Sequence, residues 1–185
     1  MAHPRVLARD DSVLVIIDVQ EGYRGHTIEH EQMVRSVRRL LEAAKVLGVP
    51  VLATEQYPKG LGRTQSEVAE GFPPGCQVIE KLSMSCCGQP IFIERLHALS
   101  RSQVVVCGIE AHACVNQTVH DLLDRGYRVH VPSDAVSSRS AQDLRAGWEK
   151  MIGSGAVPST VEMACLEWVR SAAAPEFKAN HRLIK

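Results

Sequence analysis

Cys114 is the side chain in this chain whose type and position most directly suggest chemistry. It stands in the stretch 104–118, VVVCGIEAHACVNQT. Val104, Val105, Val106 and Cys107 form a fully apolar run, as expected of a strand buried on both faces, and Gly108 stops it. Cys114 then enters a segment with helical spacing: Cys114, Val115, Thr118, Val119, Leu122 and Leu123. A cysteine at a helix N-terminus meets unpaired N–H groups and the positive end of the macrodipole. That setting lowers a thiol pKa and favours the nucleophilic thiolate. The competing reading is a small buried residue, as free cysteines commonly are.

A thiol nucleophile needs a partner to take its proton and later return one. Histidine is the usual partner, and the chain has eight. His112 is the nearest, two residues before Cys114, but that spacing does not aim its ring at the sulfur. Asp18 is the other candidate, placed directly after the apolar run 12–17, SVLVII. Apolar surroundings raise a carboxyl pKa, whereas a neighbouring ammonium holds the group ionised. Lys81, which follows the short run 77–80, is in position to supply that ammonium. A purely structural Asp18–Lys81 ion pair is the alternative.

The elements that would position these residues alternate. Strands are expected at 12–17, 49–53, 77–80, 104–107 and 127–131, with a short sixth around Ala156 and Val157. An amphipathic helix is expected over 32–47, with Val34, Val37, Leu40, Leu41 and Ala44 on one face and Gly48 at its end. Pro90 opens a helix carrying Ile91, Phe92, Leu96 and Leu99. The Cys114 helix ends near Arg125 and Gly126. Further helices run to Met151 and over 160–172, the last with Val161, Cys165, Leu166 and Val169 facing inward. Segments 21–29 and 132–139 read as polar connections. The long irregular segment 54–75 has the length of a binding loop or lid.

Alternation of this kind implies βαβ units. The fold class is α/β: a three-layer α/β/α sandwich, Rossmann-like, with a central, mostly parallel six-stranded sheet in the order 3-2-1-4-5-6. Ligands in such sheets bind beyond the carboxyl ends of the strands, where the strand order reverses. In this order the first and fourth strands are neighbours at that point, which brings Asp18 towards Cys114.

Composition sets the outer bounds. The 185 residues suit a single domain spanning 1–185. Twenty-one basic residues balance twenty-one acidic ones, and the basic residues are dispersed. Neither a nucleic-acid partner nor a membrane surface is implied. No apolar segment approaches the roughly 20 residues of a membrane span, and 1–11 lacks the pattern of a secretory signal. Cysteines at 76, 86, 87, 107, 114 and 165 form no CxxC. Cys86 and Cys87 are adjacent, a poor geometry for a disulfide. Cys107 and Cys165 suit the core. Together these features fit a reducing compartment, the cytoplasm.

Three segments in register carry a family resemblance over essentially the whole chain: VLVIIDVQEGY with Asp18, EKLSMS with Lys81, and CGIEAHACVNQT with Cys114. The chain resembles the isochorismatase-like cysteine hydrolases, a superfamily that includes nicotinamidases and N-carbamoylsarcosine amidases. TEQYPKGLGRT and LLDRGYRVHVPSDAVSSRS are similar to its isochorismatase domain-containing proteins. The resemblance implies a metal-independent hydrolase that cleaves a small amide-like C–N substrate, with Asp18 as base, Lys81 as supporting cation and Cys114 as nucleophile. It also implies a cis peptide bond at Ile109–Glu110, an oxyanion hole from the Glu110 and Cys114 N–H groups, and a thioester intermediate. His112 then loses its claim to the proton.

Departures from the family narrow this reading. Nicotinamidases place an aspartate and histidines after the second strand to bind a metal. This chain has Glu55, Gln56, Tyr57, Pro58 and Lys59 there, and no histidine between His30 and His97. The implied site therefore has no metal and no cofactor. True isochorismatases lack the nucleophilic cysteine, so Cys114 argues against vinyl-ether chemistry. Gln20, Tyr23, Glu55, Gln56, Tyr57 and His112 are candidates for the wall of a small-molecule pocket, with packing roles as the alternative. Trp148, Trp168 and Phe177 are assigned to core or subunit contacts, and Arg139 to the start of a helix. Relatives commonly associate, so a homo-oligomer is expected. Two rival functions stand beside the hydrolase: a catalytically idle binding or scaffold protein, and a thiol redox protein with Cys86 or Cys87 as the resolving partner.

Overall fold

The structure is a computed structural model that describes residues 3–76 and 78–184. In chain order its elements are β1 (Ser12–Ile17), α1 (His30–Leu47), β2 (Val51–Gln56), α2 (Pro58–Leu61), α3 (Ser66–Ala69), β3 (Val78–Lys81) and α4 (Pro90–Ala98). There follow β4 (Gln103–Ile109), α5 (Cys114–Asp124), β5 (Arg128–Pro132), β6 (Val136–Ser137), α6 (Ala141–Gly153), β7 (Val157–Ser159), α7 (Val161–Val169) and α8 (Phe177–Leu183). Gln77, expected to open the third strand, lies outside the described residues. Among the described residues no helix is long and apolar enough to cross a membrane.

Unbroken apolar runs have no polar face to offer water, so they occupy the middle of the sheet. β1 and β4 are buried at every position and lie side by side, paired from Ser12–Gln103 to Ile17–Gly108. Alternate residues then serve opposite layers. Leu14, Ile16, Val105, Cys107 and Ile109 face one core, beneath α1 and α7. Val13, Val15, Ile17, Val104 and Val106 face the other, beneath α4, α5 and α6. Each buried side chain of this size stabilises the fold by about 1.5–3 kcal/mol relative to exposure.

All strand pairs are parallel, in the order β3-β2-β1-β4-β5-β7. The expected order holds, with the sixth place taken by the seventh strand in the chain. The additional strand is β6, two residues inside the expected polar connection, which pairs with Gly108 and Ile109 of β4. A two-residue pairing carries no periodicity, so only the tertiary arrangement reveals it. β2 also differs from expectation. Its ladder continues through Thr54, Glu55 and Gln56, because both β1 and β3 extend alongside it. The rest of the expected irregular segment holds α2 and α3.

On α7, Val161, Ala164, Cys165, Trp168 and Val169 form the buried stripe. Leu166 falls between those positions and is 40 % exposed, not inward-facing. The C-terminal segment docks as α8, where Asn180 Nδ2 donates to the Cys165 carbonyl at 2.9 Å. Trp168 is in the core, Trp148 is half-buried, and the Phe177 ring stacks on His181 at 5.3 Å.

Gly108 sets how closely the two central strands approach just before the candidate site. Its φ is +115°, and a Cβ there would lie 2.1 Å from the Ile17 carbonyl oxygen. Gly108→Ala is expected to destabilise the protein by about 3 kcal/mol or more, combining the cost of a left-handed non-glycine residue with overpacking. Urea denaturation of the variant checks this; a loss below about 1 kcal/mol would mean the β1–β4 spacing yields readily.

Candidate active site

The sheet order delivers Asp18, Lys81 and Cys114 to one place from three distant parts of the chain. Asp18 follows β1, Lys81 is the last residue of β3, and Cys114 is the first residue of α5. Asp18 adopts a left-handed backbone (φ 52°), which aspartate tolerates better than most residues. Its carboxylate accepts from Lys81 Nζ at 2.7 Å and from Thr54 Oγ1 at 2.7 Å. Both side chains of the Lys81–Asp18 pair are wholly buried.

The Lys81 ammonium is enclosed by oxygen. Besides Asp18 it donates to Gln56 Oε1 at 2.7 Å, to the Met84 carbonyl at 3.0 Å and, more weakly, to the Ser83 carbonyl at 3.3 Å. These acceptors offset the desolvation that otherwise makes a buried charge costly. Burial works to lower the Lys81 pKa, but the Asp18 carboxylate and the Cys86 and Cys114 sulfurs outweigh it and hold the pKa above the ordinary lysine value. Burial raises the Asp18 carboxyl, and Lys81, Thr54 and Cys114 only partly oppose that rise.

Cys114 is buried, and its sulfur interacts with both Asp18 and Lys81. The expected lowering of its pKa is overturned. Burial first, and the Asp18 carboxylate second, push the thiol up to about 12, despite Lys81. In a dry site beside an anion, the start of a helix does not compensate for lost hydration. The resting thiol is therefore protonated.

The turn between β4 and α5 contains a cis peptide bond at Ile109–Glu110. Ile109 is fully buried, and the Glu110 carboxylate is forked by Arg139, with Nε donating at 2.7 Å and Nη2 at 3.3 Å. The Glu110 carbonyl accepts from Ala113 and Val115, and the Ala111 N–H donates to Ser137 of β6. Among the described residues, the Glu110 and Cys114 N–H groups donate to no protein acceptor. Two free donors therefore flank the cysteine.

The proposed pocket residues divide. Tyr23 is buried beside the cluster; burial and the nearby Glu110, Cys114 and Asp18 push its hydroxyl pKa upward. Gln20 does not present its amide to a cavity. It donates to the carbonyls of Gln56 and Gly62 and accepts from the Gln56 N–H at 2.7 Å, acting as a clasp on the end of β2. Glu55 accepts from the Thr64 N–H and hydroxyl and from Arg63, which ties down the following loop. Gln56 is held by Lys81 and by the Leu82 carbonyl. Tyr57 is 51 % exposed and lines an outer cleft of about 280 Å³ with Pro58, Lys59, Leu82 and Gln89. The His112 ring lies 3.0 Å from the Ser138 hydroxyl.

Several neighbours of the cluster escaped sequence reasoning. Thr54 falls in the segment expected to be irregular, and nothing in the local sequence around Met84 marks it as a neighbour of Cys114. Arg139 does precede α6, but its guanidinium belongs to the Glu110 turn. Cys86 is fully buried near Thr54, 3.7 Å from its hydroxyl, and burial followed by Asp18 pushes its thiol up to about 12. All six cysteines are free. Among the described residues, no three His, Cys, Asp or Glu side chains are grouped as a metal ion would require.

Replacing Lys81 with methionine leaves the Asp18 carboxylate buried without its ammonium. The expected loss of stability at pH 8 is about 3–5 kcal/mol. Removing the main opposing charge raises the folded-state Asp18 pKa further. The stability gained from protonating Asp18 is fully present below its unfolded value and is lost as pH rises through the folded one. The deficit of Lys81→Met therefore grows between about pH 4 and neutrality. Guanidinium denaturation at pH 5 and pH 8 measures it, and a deficit independent of pH would show that the pair is not electrostatically coupled.

Comparisons with known proteins identify the family of the chain. The Isochorismatase domain description matches residues 12–163. The secreted isochorismatase effector Isc1 of Phytophthora sojae is 40 % identical over 179 residues, covering 94 % of this chain and 84 % of that protein. Isochorismatase domain-containing protein 2 of Homo sapiens is 41 % identical over 176 residues, covering 94 % and 83 %. A solved structure titled MAR1 ribonuclease from Caenorhabditis elegans superposes with a TM-score of 0.93 at 37 % identity, covering 97 % of this chain and 92 % of that one. With its sheet order, its central cluster and these matches, the chain belongs to the isochorismatase family of hydrolases.

Proposed function

We propose that this protein is a metal-independent cysteine hydrolase that opens a C–N bond of a small amide-like compound through a thioester on Cys114. The observation that carries this reading is the meeting of a buried Cys114 sulfur with the buried Asp18–Lys81 pair, itself 2.7 Å apart, beside two N–H groups without an acceptor among the described residues. Burial raises the pKa of both the thiol and the carboxyl. A base of raised pKa accepts the thiol proton more readily than an ordinary carboxylate would. Lys81 keeps that base ionised and fixed.

The sulfur attacks the carbonyl carbon while its proton passes to Asp18. Charge developing on the carbonyl oxygen is met by the free N–H groups of Glu110 and Cys114, and one such donor is typically worth about 10²–10³ in rate. Asp18 returns the proton to the leaving nitrogen as the C–N bond breaks. Water then attacks the thioester, giving its proton to Asp18, and the thiol is restored when that proton moves to sulfur. Charge is conserved at each step, so the Asp18–Lys81 pair never has to leave its enclosure.

The rival readings have weaker support. A thiol redox role needs an attacking thiolate at Cys86 or Cys87; burial raises both thiols, and Asp18 raises Cys86 further. An idle scaffold has no use for the two unpaired donors beside Cys114. Phosphodiester hydrolysis, the activity for which the nematode ribonuclease is named, lacks a phosphate cradle here: Lys81 already donates to protein oxygens, and the chain has zero formal net charge. The six free cysteines suit a cytoplasmic protein, and self-association is proposed as in other members.

Ammonia release from a panel of small primary amides tests the reading, with an RNA oligonucleotide alongside. Turnover is expected to vanish in Cys114→Ala and to fall by about 10²–10⁴ in Asp18→Asn. The kcat/KM profile should show an acid limb above the ordinary carboxylate range, because Asp18 must be ionised and its pKa is raised. No alkaline limb is expected below pH 10.5, since Lys81 and Cys114 both lose their protons later. Ammonia release persisting in Cys114→Ala would refute the nucleophile.

A further inference from the structure

Substrate cannot reach the candidate nucleophile as the structure stands, because Cys114 is only 2 % exposed. The side chain against its sulfur on the solvent side is Met84, with Sδ 3.9 Å from Sγ, and Met84 itself is 45 % exposed. We propose that Met84 is the movable cover of the active site and its specificity-determining residue, admitting a narrow, uncharged acyl group that takes the place of its thioether. This inference rests on Cys114 being the attacking atom.

Three observations support it. The backbone that carries Met84 cannot swing away cheaply. The Leu82 carbonyl accepts from Gln56 at 2.9 Å, the Met84 carbonyl accepts from Lys81 at 3.0 Å, and Ser83 Oγ donates to the Ser85 carbonyl at 2.8 Å. Opening this loop would strip acceptors from a buried ammonium. Rotating an unbranched thioether about its own bonds leaves all of them in place. The other neighbours of the sulfur are held: Asp18 and Lys81 by each other, and Tyr23 by burial.

Charge then selects the substrate class. Asp18 cancels Lys81 and Glu110 cancels Arg139, so among the described residues no unpaired charge borders the sulfur to receive an ionic group. The space vacated by a methionine side chain is apolar and one chain wide. An uncharged acyl group of similar width replaces its contacts, whereas a charged or branched one does not.

Alkylation of Cys114, followed by mass spectrometry of its peptide across pH, tests the cover without requiring turnover. Iodoacetamide, which forms an S–C bond and releases iodide, serves as the narrow probe, and fluorescein maleimide as the wide one. With the open rotamer a minor state, Met84→Ala should speed the wide probe about tenfold or more and the narrow probe by much less. The pH midpoint should not move, because no charge is changed. Met84→Leu should stay within about twofold of the parent, and Met163→Ala, an equally exposed methionine on α7, should change nothing.

Equal rates for Met84→Ala and the parent would overturn the cover. Equal acceleration of both probes would overturn the selection by width, and a shifted midpoint would show that Met84 acts on the thiol's ionisation. Ammonia release measured on the same variants separates the two proposals. Selective acceleration without turnover leaves the cover and removes the hydrolase; turnover with unchanged alkylation does the reverse.

Discussion

The buried Lys81–Asp18 pair is the interaction on which the rest of the site depends. Two opposite charges 2.7 Å apart, with neither side chain in contact with solvent, are stable only where surrounding dipoles replace water. That requirement reaches outward. Gln56 must turn its oxygen to the ammonium, the loop after β3 must fold two carbonyls back over it, and Thr54 must supply a hydroxyl to the carboxylate. Gln20 then clasps both backbone groups of Gln56. Residues that first suggest a substrate pocket are therefore the framework that keeps a charge pair dry.

Dryness in turn sets the protonation state. Removing water penalises every charged form, so the carboxyl, the thiol at Cys114 and the thiol at Cys86 are all pushed upward together. The attraction between Lys81 and Asp18 at 2.7 Å offsets part of that penalty. A helix N-terminus could lower the thiol pKa in an open site, but here it acts against burial and a carboxylate at once. The result is a neutral thiol beside a fixed base, an arrangement suited to moving a proton with the bond change and not before it.

The same packing divides rigid parts from movable ones. The sheet ends, the turn after β4 and the loop after β3 are tied by hydrogen bonds to buried partners. Met84 and Arg139 are exposed at their tips and anchored only at one end or by one partner. The exposed groups beside the cluster are thus side chains, while the backbone around it is tied to buried partners.

How far the sequence alone reaches can be judged residue by residue. Runs without a polar position can only be central parallel strands, so β1 and β4, the sheet order and the α/β class are legible in the chain. The gathering of Asp18, Lys81 and Cys114 is legible too, because each stands at the end or outlet of a strand in register with a known pattern. Tertiary structure alone decides what these groups are electrostatically. The height of the Cys114 pKa, the internal duties of Gln20, Glu55 and Gln56, the arrival of Thr54 and Met84, and the Arg139 fork on Glu110 all come from residues far apart in the chain. Local periodicity records which face of an element is apolar; it carries no information about which distant polar group will meet another once water is gone.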